Sequence, residues 1–297
     1  MNASASASAS ASASASADAV VVASVLVHGN EYGLLEVLRR VAAQQRRPDA
    51  VVVVDNASPV PVNIPVIDGL RVQVVRSDQN LGVGGGHNLG IRTALDSLHA
   101  DCVWVLEHDT FPDTDCLASL LRMRANRVPG VVVADITRNN YERHWMSAER
   151  DGSATDRFTF NGPLLDRGVF ELVGPINEQY FVGQEDWEYS GRVIAAGLSV
   201  THCSSAVVLH ANKGDGRFRR HVSPTRLYYS ARNEEVARRP VSSRDRFLHV
   251  LLAVAKVGRE LLTPGRGWTH AAARWWAYRD GRNGRMGQQV HRFMRPR

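Results

Sequence analysis

The stretch Val103-Trp104-Val105-Leu106-Glu107-His108-Asp109-Thr110 decides the fold. Four large apolar residues in a row suit a strand covered on both faces. Carrying Glu107 and Asp109 on into such a core would bury unpaired carboxylates at high cost, so the strand ends here. The acids then emerge at its C-terminal end, the edge at which open α/β sheets bind ligands. On an extended chain Glu107 and Asp109 point the same way, towards one cation or one phosphate pair. The plainer alternative is an ordinary polar strand end, and the neighbouring segments bear on the choice.

Upstream, Val20 to Val27 reads as a first strand and is followed by His28-Gly29-Asn30. Leu34, Leu35, Val37, Leu38 and Val41 then recur at helical spacing through Gln45, and Pro48 stops that helix. Val51 to Val54 is a second strand, ending in Asp55-Asn56-Ala57-Ser58. Residues 59–70 read as a proline-rich loop, and Arg71 to Arg76 as a third strand with some alternation. Strand, helix, strand in this order, with continuously apolar runs, predicts a parallel sheet wrapped by helices. Asn80-Leu81-Gly82-Val83-Gly84-Gly85-Gly86-His87-Asn88-Leu89-Gly90-Ile91 leads into a helix through Leu98. Its glycines let backbone approach a ligand closely, and a helix N-terminus favours phosphate. A dinucleotide fingerprint is the competing idea, but that motif follows the first strand and this one follows the third.

Downstream, a helix runs from Pro112-Asp113 through Arg124, and Val131 to Ala134 is another strand. Residues 135–160 read as an irregular, mobile or acceptor-facing segment. Asn161 to Leu165 and Phe170 to Gly174 follow. Gln184-Glu185-Asp186-Trp187 then opens a helix that ends near Gly197. A short strand, Ala206 to Leu209, ends in His210-Ala211-Asn212-Lys213-Gly214. Residues 244–262 form an amphipathic helix with Asp245, His249, Lys256 and Glu260 near one face and Phe247, Leu248, Leu251, Val254 and Leu261 on the other. Trp268, Trp275, Trp276 and Tyr278 lie among arginines beyond it.

Of 297 residues, 44% are hydrophobic and 22% charged, as in an ordinary globular protein. Cys102, Cys116 and Cys203 are an odd set without CxxC spacing, which argues against a disulfide framework or a structural zinc site. No apolar run approaches a membrane span. The net charge of +6 hides an asymmetry. From Lys213 onward there are 20 Lys plus Arg against 6 Asp plus Glu, leaving 16 against 24 before it. A basic tail on an acidic body calls for an anionic partner, lipid or nucleic acid. The tail lacks groove-reading spacing, so nucleic acid is not expected.

The ordered motifs Val53-Val54-Asp55-Asn56-Ala57-Ser58, Asn80 to Gly90, Glu107-His108-Asp109, Gln184-Glu185-Asp186 and His210 resemble the inverting GT-A-fold glycosyltransferases of the second family. Within that family they are most similar to bacterial cell-wall rhamnosyltransferases and galactofuranosyltransferases acting on polyprenyl-linked glycans. The resemblance covers roughly residues 20–240, and Ala277 to Gly287 looks like the tail of the rhamnosyltransferase branch. It implies a Rossmann-like, mostly parallel sheet flanked by helices, with a C-terminal helical extension. The low-complexity Ala/Ser composition makes residues 1–17 a disordered tail, ahead of a catalytic domain at 18–240 and a basic amphipathic extension at 241–297.

The resemblance also implies a chemistry. A nucleotide-sugar donor of the dTDP-rhamnose or UDP-hexose type passes its sugar to a hydroxyl of a glycan or lipid-linked glycan. Mg²⁺ or Mn²⁺, which prefer hard oxygen ligands, would stabilise the departing diphosphate. Asp109 matches the second acid of the family's DxD motif, with Glu107 standing where the first is Asp. His210 matches a histidine that completes the metal site in part of the family. Asp55, Asn80, Gly82, His87 and Glu107 fall on the nucleotide side. Asp186 matches the catalytic base, with Glu185 beside it, and Trp187 is placed to wall the acceptor site. The expected setting is cytoplasmic and peripheral at an anionic inner membrane face. A nucleotidyltransferase is the rival enzyme, though His28-Gly29-Asn30 supplies no basic phosphate loop. A nonenzymatic, membrane-associated nucleotide-binding module would have no need of the Glu185-Asp186 base.

Overall fold

The computed structural model describes residues 19–29, 31–124, 129–138, 151–211, 223–237 and 243–289. The Ala/Ser tail at 1–17, the middle of the 135–160 segment, Asn30, the residues just after Ala211 and the last residues of the basic extension lie outside these.

An eight-stranded mixed sheet forms the frame. Its strands are β1 (Val21–Val27), β2 (Ala50–Asn56), β3 (Val72–Ser77), β4 (Cys102–Glu107), β5 (Thr110–Pro112), β6 (Gly130–Arg138), β7 (Leu164–Asp166) and β8 (Ser199–His210). They lie in the order β3-β2-β1-β4-β7-β6-β8-β5. The β3-β2-β1-β4 half is parallel, as the uninterrupted apolar runs predict. Every residue of β1 and β2 is buried, and so are the first five of β4. β3 lies at the edge, and none of its residues is fully buried. Trp104 is fully buried, with its indole N–H donated to the Gly162 carbonyl (3.1 Å). The short antiparallel β7 links β4 to β6, and β5 pairs antiparallel with the end of β8.

Helices α1 (Glu31–Ala42), α2 (Gly82–Arg92), α3 (Cys116–Arg124), α4 (Arg167–Val173) and α5 (Glu185–Ala195) connect these strands. Leu34, Val37, Leu38 and Val41, the apolar positions of α1, are all buried. Helix α2 begins inside the glycine stretch rather than after it. Two of its glycines serve packing: a Cβ at Gly86 would lie 2.4 Å from Leu26, and one at Gly90 would lie 2.1 Å from Ser24 Oγ and 2.8 Å from Val54. Those positions let the helix sit directly on β1 and β2. All three cysteines are free and buried.

The chain divides into two compact units. The first holds the whole sheet. The second gathers residues 82–84, 177–185 and 213–297. Its body is three helices, α6 (Pro224–Ala237), α7 (Ser243–Leu262) and α8 (Trp268–Arg282). Leu227, Tyr228, Tyr229, Ala231, Ala273 and Ala277 form its core. Among the described residues no helix is long and apolar enough to cross a membrane.

Candidate active site

The parallel register sets the site. Asp55 of β2 stands level with Val27, and Glu107 of β4 stands level with Leu26. The C-terminal ends of β2 and β4 therefore carry their acids to one edge of the sheet, on either side of β1.

Asp55 is 1% exposed and its carboxylate is engaged within the protein. Its Oδ1 accepts from Ser58 N–H (2.9 Å), and Oδ2 from Val62 N–H (3.2 Å) and the Arg76 guanidinium. Burial alone would raise its pKa, but the hydrogen bonds from Ser58, Arg76 and Val62 outweigh that and hold it below the usual carboxylate value. Asp55 thus shapes the loop after β2. The next residue, Asn56, accepts from Leu81 N–H (2.8 Å) and donates to Asn80 Oδ1 (3.3 Å). That ties the glycine stretch to the end of β2.

A turn at His108 and Asp109 gives the two acids of the quoted stretch different partners. Glu107 Oε1 faces Nε2 of the fully buried His87 at 3.6 Å. Asp109 Oδ2 lies 3.4 Å from His210 Nε2. That second pairing depends on β5, whose Thr110 is in register with His210 while Ala211 N–H bonds the Asp109 carbonyl (2.9 Å). Burial pushes the Asp109 pKa up, and the His210 hydrogen bond and the charges of His210 and His108 bring it down to a net value below normal. Asp109 Oδ1 is buried with no hydrogen-bond partner.

An orphaned carboxylate oxygen beside an imidazole is the donor set a divalent cation accepts, with diphosphate oxygens and water completing its shell. Among the described residues there is no cluster of three or more protein metal ligands, so a cation here would depend on the substrate for the rest. Asp109 and His210 fit that arrangement.

Asp186 lies in the first turn of α5. Its Oδ1 accepts from Trp187 N–H (2.8 Å), and its carbonyl accepts from Ser190 Oγ (2.7 Å). Burial, reinforced by the negative charge of Glu107 and opposed by the Trp187 N–H, raises its pKa to about 6. A carboxylate tuned this way can accept a proton near neutral pH.

Helix α5 is firmly held. Ser190 Oγ accepts from Phe158 N–H and lies 3.1 Å from the Phe158 carbonyl, Tyr189 Oη donates to the Gly174 carbonyl, and Arg192 donates to the Val173 and Pro175 carbonyls. Phe160 packs between Tyr189 (6.2 Å between ring centroids) and His87 (4.8 Å). Trp187 is 38% exposed, with the Arg157 guanidinium 4.4 Å from its ring centre.

Gly82 and Glu185 belong to the second unit, where Glu185 is buried and Gly82 adopts φ +75°. Sequence reading missed Phe158, Phe160, Arg157 and Ser190. The alternation of Phe158 and Phe160 was the available signal, inside a segment read as irregular.

A sheet carrying carboxylates at the ends of its parallel strands, with an acid at the start of a following helix, has the architecture of a GT-A glycosyltransferase. The chain matches the description "Glycosyl transferase family 2" over residues 24–175 and belongs to that family. Galactofuranosyltransferase GlfT1 of Mycolicibacterium smegmatis is 30% identical over 215 residues, 64% of this chain and 70% of its own. The dTDP-rhamnosyl transferase RfbF of Shigella flexneri is 24% identical over 204 residues, 62% of this chain and 68% of its own. The fold is also similar to that of the mannosyltransferase PcManGT from Pyrobaculum calidifontis, solved with GDP-Man and Mn²⁺. That likeness has a TM-score of 0.55 and 18% identity, covering 89% of this chain and 73% of the other. The protein is a glycosyltransferase.

Proposed function

We propose that the enzyme inverts the anomeric centre as it moves a hexosyl group from a dTDP- or UDP-sugar to a hydroxyl of a glycan or lipid-linked glycan. The observation that carries this reading is the place of Asp186, a half-buried carboxylate in the first turn of α5 whose Oδ1 accepts from Trp187 N–H, with burial and the charge of Glu107 holding its pKa up. Asp186 takes the proton of the acceptor hydroxyl as that oxygen bonds to the anomeric carbon from the side opposite the diphosphate. The bond from the anomeric carbon to the diphosphate oxygen breaks, and the nucleoside diphosphate leaves with the electron pair. Unlike a glycosidase, which needs two carboxyl groups, this displacement needs one base. Asp109 and His210 would hold Mg²⁺ or Mn²⁺, which supplies positive charge to the departing diphosphate. Asn80 and Glu107 line the donor side, the buried Asp55 shapes the loop after β2, the buried His87 faces Glu107, and Trp187 walls the acceptor. Screening UDP- and dTDP-sugars with Mn²⁺ for transfer, and reading the product anomer by NMR, tests this. A retained anomer or metal-independent transfer contradicts it.

A second partner, an anionic lipid surface, is favoured by α7. Over residues 250–262 this helix packs through Ala253, Lys256 and Glu260: Lys256 lies 3.5 Å from Glu234, and the fully buried Glu260 binds Arg266 and Arg274. Leu251, Val254 and Leu262 face outward, 49%, 56% and 86% exposed. The acids Glu260 and Asp280 are buried and paired, whereas Arg259, Arg279, Arg282 and Arg285 are exposed. An outward apolar stripe beside exposed arginines, of which Arg285 also reaches Asp280 (3.8 Å), suits an interface rich in anionic headgroups. A peripheral position at the inner face of the membrane follows.

A further inference from the structure

We infer that Arg232 and Asn233, adjacent residues of α6, are positioning residues that fix the shape of the loop leading into the base. The inference rests on the transferase reading above and adds to it a part of the chain outside the sheet. Both side chains are fully buried. The Arg232 guanidinium donates to the carbonyls of Tyr180 (2.8 Å), Gln179 (3.2 Å) and Gly287 (2.6 Å), and its Nε donates to Asn233 Oδ1 (2.9 Å). The Asn233 amide nitrogen lies 3.0, 3.1 and 2.5 Å from the carbonyls of Tyr180, Val182 and Gly183. Two neighbouring polar side chains are thus spent on the backbone of residues 179–183. That segment runs straight on into Glu185 and Asp186.

The clasped backbone is in an unusual conformation. Phe181, Gly183 and Gln184 have φ of +63°, +83° and +74°, a region that side-chain-bearing residues rarely adopt. Such geometry persists only where the surroundings over-determine it, and it clusters at functional sites. The surroundings do so from two sides. Opposite the clasp, Val83 N–H donates to the Phe181 carbonyl (2.7 Å), and a Cβ on Gly82 would lie 2.2 Å from that same oxygen. The loop is therefore pinned between the glycine turn that opens α2 and the Arg232–Asn233 pair.

Burying a guanidinium is expensive, and here burial holds its pKa below normal despite the nearby phenols of Tyr228 and Tyr229. The rings of Tyr229 and Tyr228 flank it at 5.0 and 5.8 Å. A loop needing only to turn could use more glycine. This one instead uses a costly buried cation and an amide, which specify where each carbonyl points.

Asn233→Asp tests the inference. It keeps the size of the side chain but sets an acceptor against three carbonyls; Asn233→Ser is the milder second variant. Amide hydrogen exchange across residues 177–186 reads the clasp directly. Turnover, donor KM and the pH profile read its consequence. The expected result is faster exchange in that segment with Val21–Val27 unchanged. Turnover of the folded enzyme falls roughly a hundredfold, the loss expected for about 1 Å of misplacement, with donor KM changing far less. Wild-type exchange in both variants, or faster exchange with unaltered turnover, overturns the positioning role. A wild-type enzyme inert towards every sugar nucleotide overturns the transferase reading and the positioning role with it. An active wild type with unaltered variants overturns the positioning role alone.

Discussion

His210 Nε2 lies 3.4 Å from Asp109 Oδ2, although 100 residues separate them in the chain. The pair exists because a three-residue strand, Thr110–Pro112, turns back from β4 and pairs with the end of β8. Asp109→Ala removes the orphaned oxygen and the imidazole's partner together. The residue sits at a strand end, 27% exposed, so the fold should survive the change. Mn²⁺ affinity in the presence of a nucleoside diphosphate, followed by electron paramagnetic resonance, should fall at least tenfold. Unaltered Mn²⁺ binding removes Asp109 from the cation site.

The raised pKa of Asp186 has consequences of definite sign. As the base, Asp186 must be ionised, so kcat/KM should rise with pH through about 6 and then level off. For stability the sign is opposite. The folded protein keeps a proton on Asp186 that the unfolded chain sheds above about 3.8, so this group lowers stability as pH climbs from there to about 6. Asp186→Asn escapes that loss. At pH 7.5 its melting temperature should equal or exceed the wild-type value, and calorimetry at pH 5 and 7.5 would show it.

Gly90 packs against Ser24 and Val54 with no space for a methyl group. Gly90→Ala should therefore destabilise the protein by about 1–3 kcal/mol through overpacking, despite alanine's better helix propensity. Denaturant titration reads this. A variant as stable as the wild type would show that α2 can lift from the sheet at no cost.

Much of this architecture was legible in advance because burial dictates it. A strand hidden on both faces must be apolar, and Val21–Val27, Ala50–Asn56 and Cys102–Glu107 are so apart from Ser24 and the polar ends Asp55, Asn56 and Glu107. What was illegible depends on pairing. Thr110–Pro112 is too short to carry periodicity, and only its ladder with Val208–His210 makes it a strand. Ser199–His210 is long because Gly130–Arg138 pairs along it, while its sequence, with Thr201, His202, Ser204 and Ser205, hides that length. That Gly86 and Gly90 face the sheet is likewise set by packing against Leu26, Ser24 and Val54, which the glycine spacing does not announce. The sequence carried the amphipathicity of residues 244–262. It could not reveal that Glu260 lies on the packed side, since that depends on Arg266 and Arg274 reaching it.

If α7 meets anionic lipid through its outward stripe, full-length protein should float with phosphatidylglycerol-containing vesicles at low salt and lose most binding at high salt. Leu251→Glu with Leu262→Glu should abolish flotation and leave the melting temperature unchanged, because both side chains are already exposed. Equal flotation of the double variant would dismiss this surface.

The central claim is that Asp186 removes the acceptor proton. Asp186→Asn retains size and the ability to cap the first turn of α5, so a purely structural role would leave turnover intact. Transfer rates of Asp186→Asn and Glu185→Gln, measured side by side at saturating donor, test the claim most directly. The account predicts that Asp186→Asn loses roughly a hundredfold to ten-thousandfold in rate with donor affinity preserved, and that Glu185→Gln loses far less. Transfer at the wild-type rate by Asp186→Asn would contradict it.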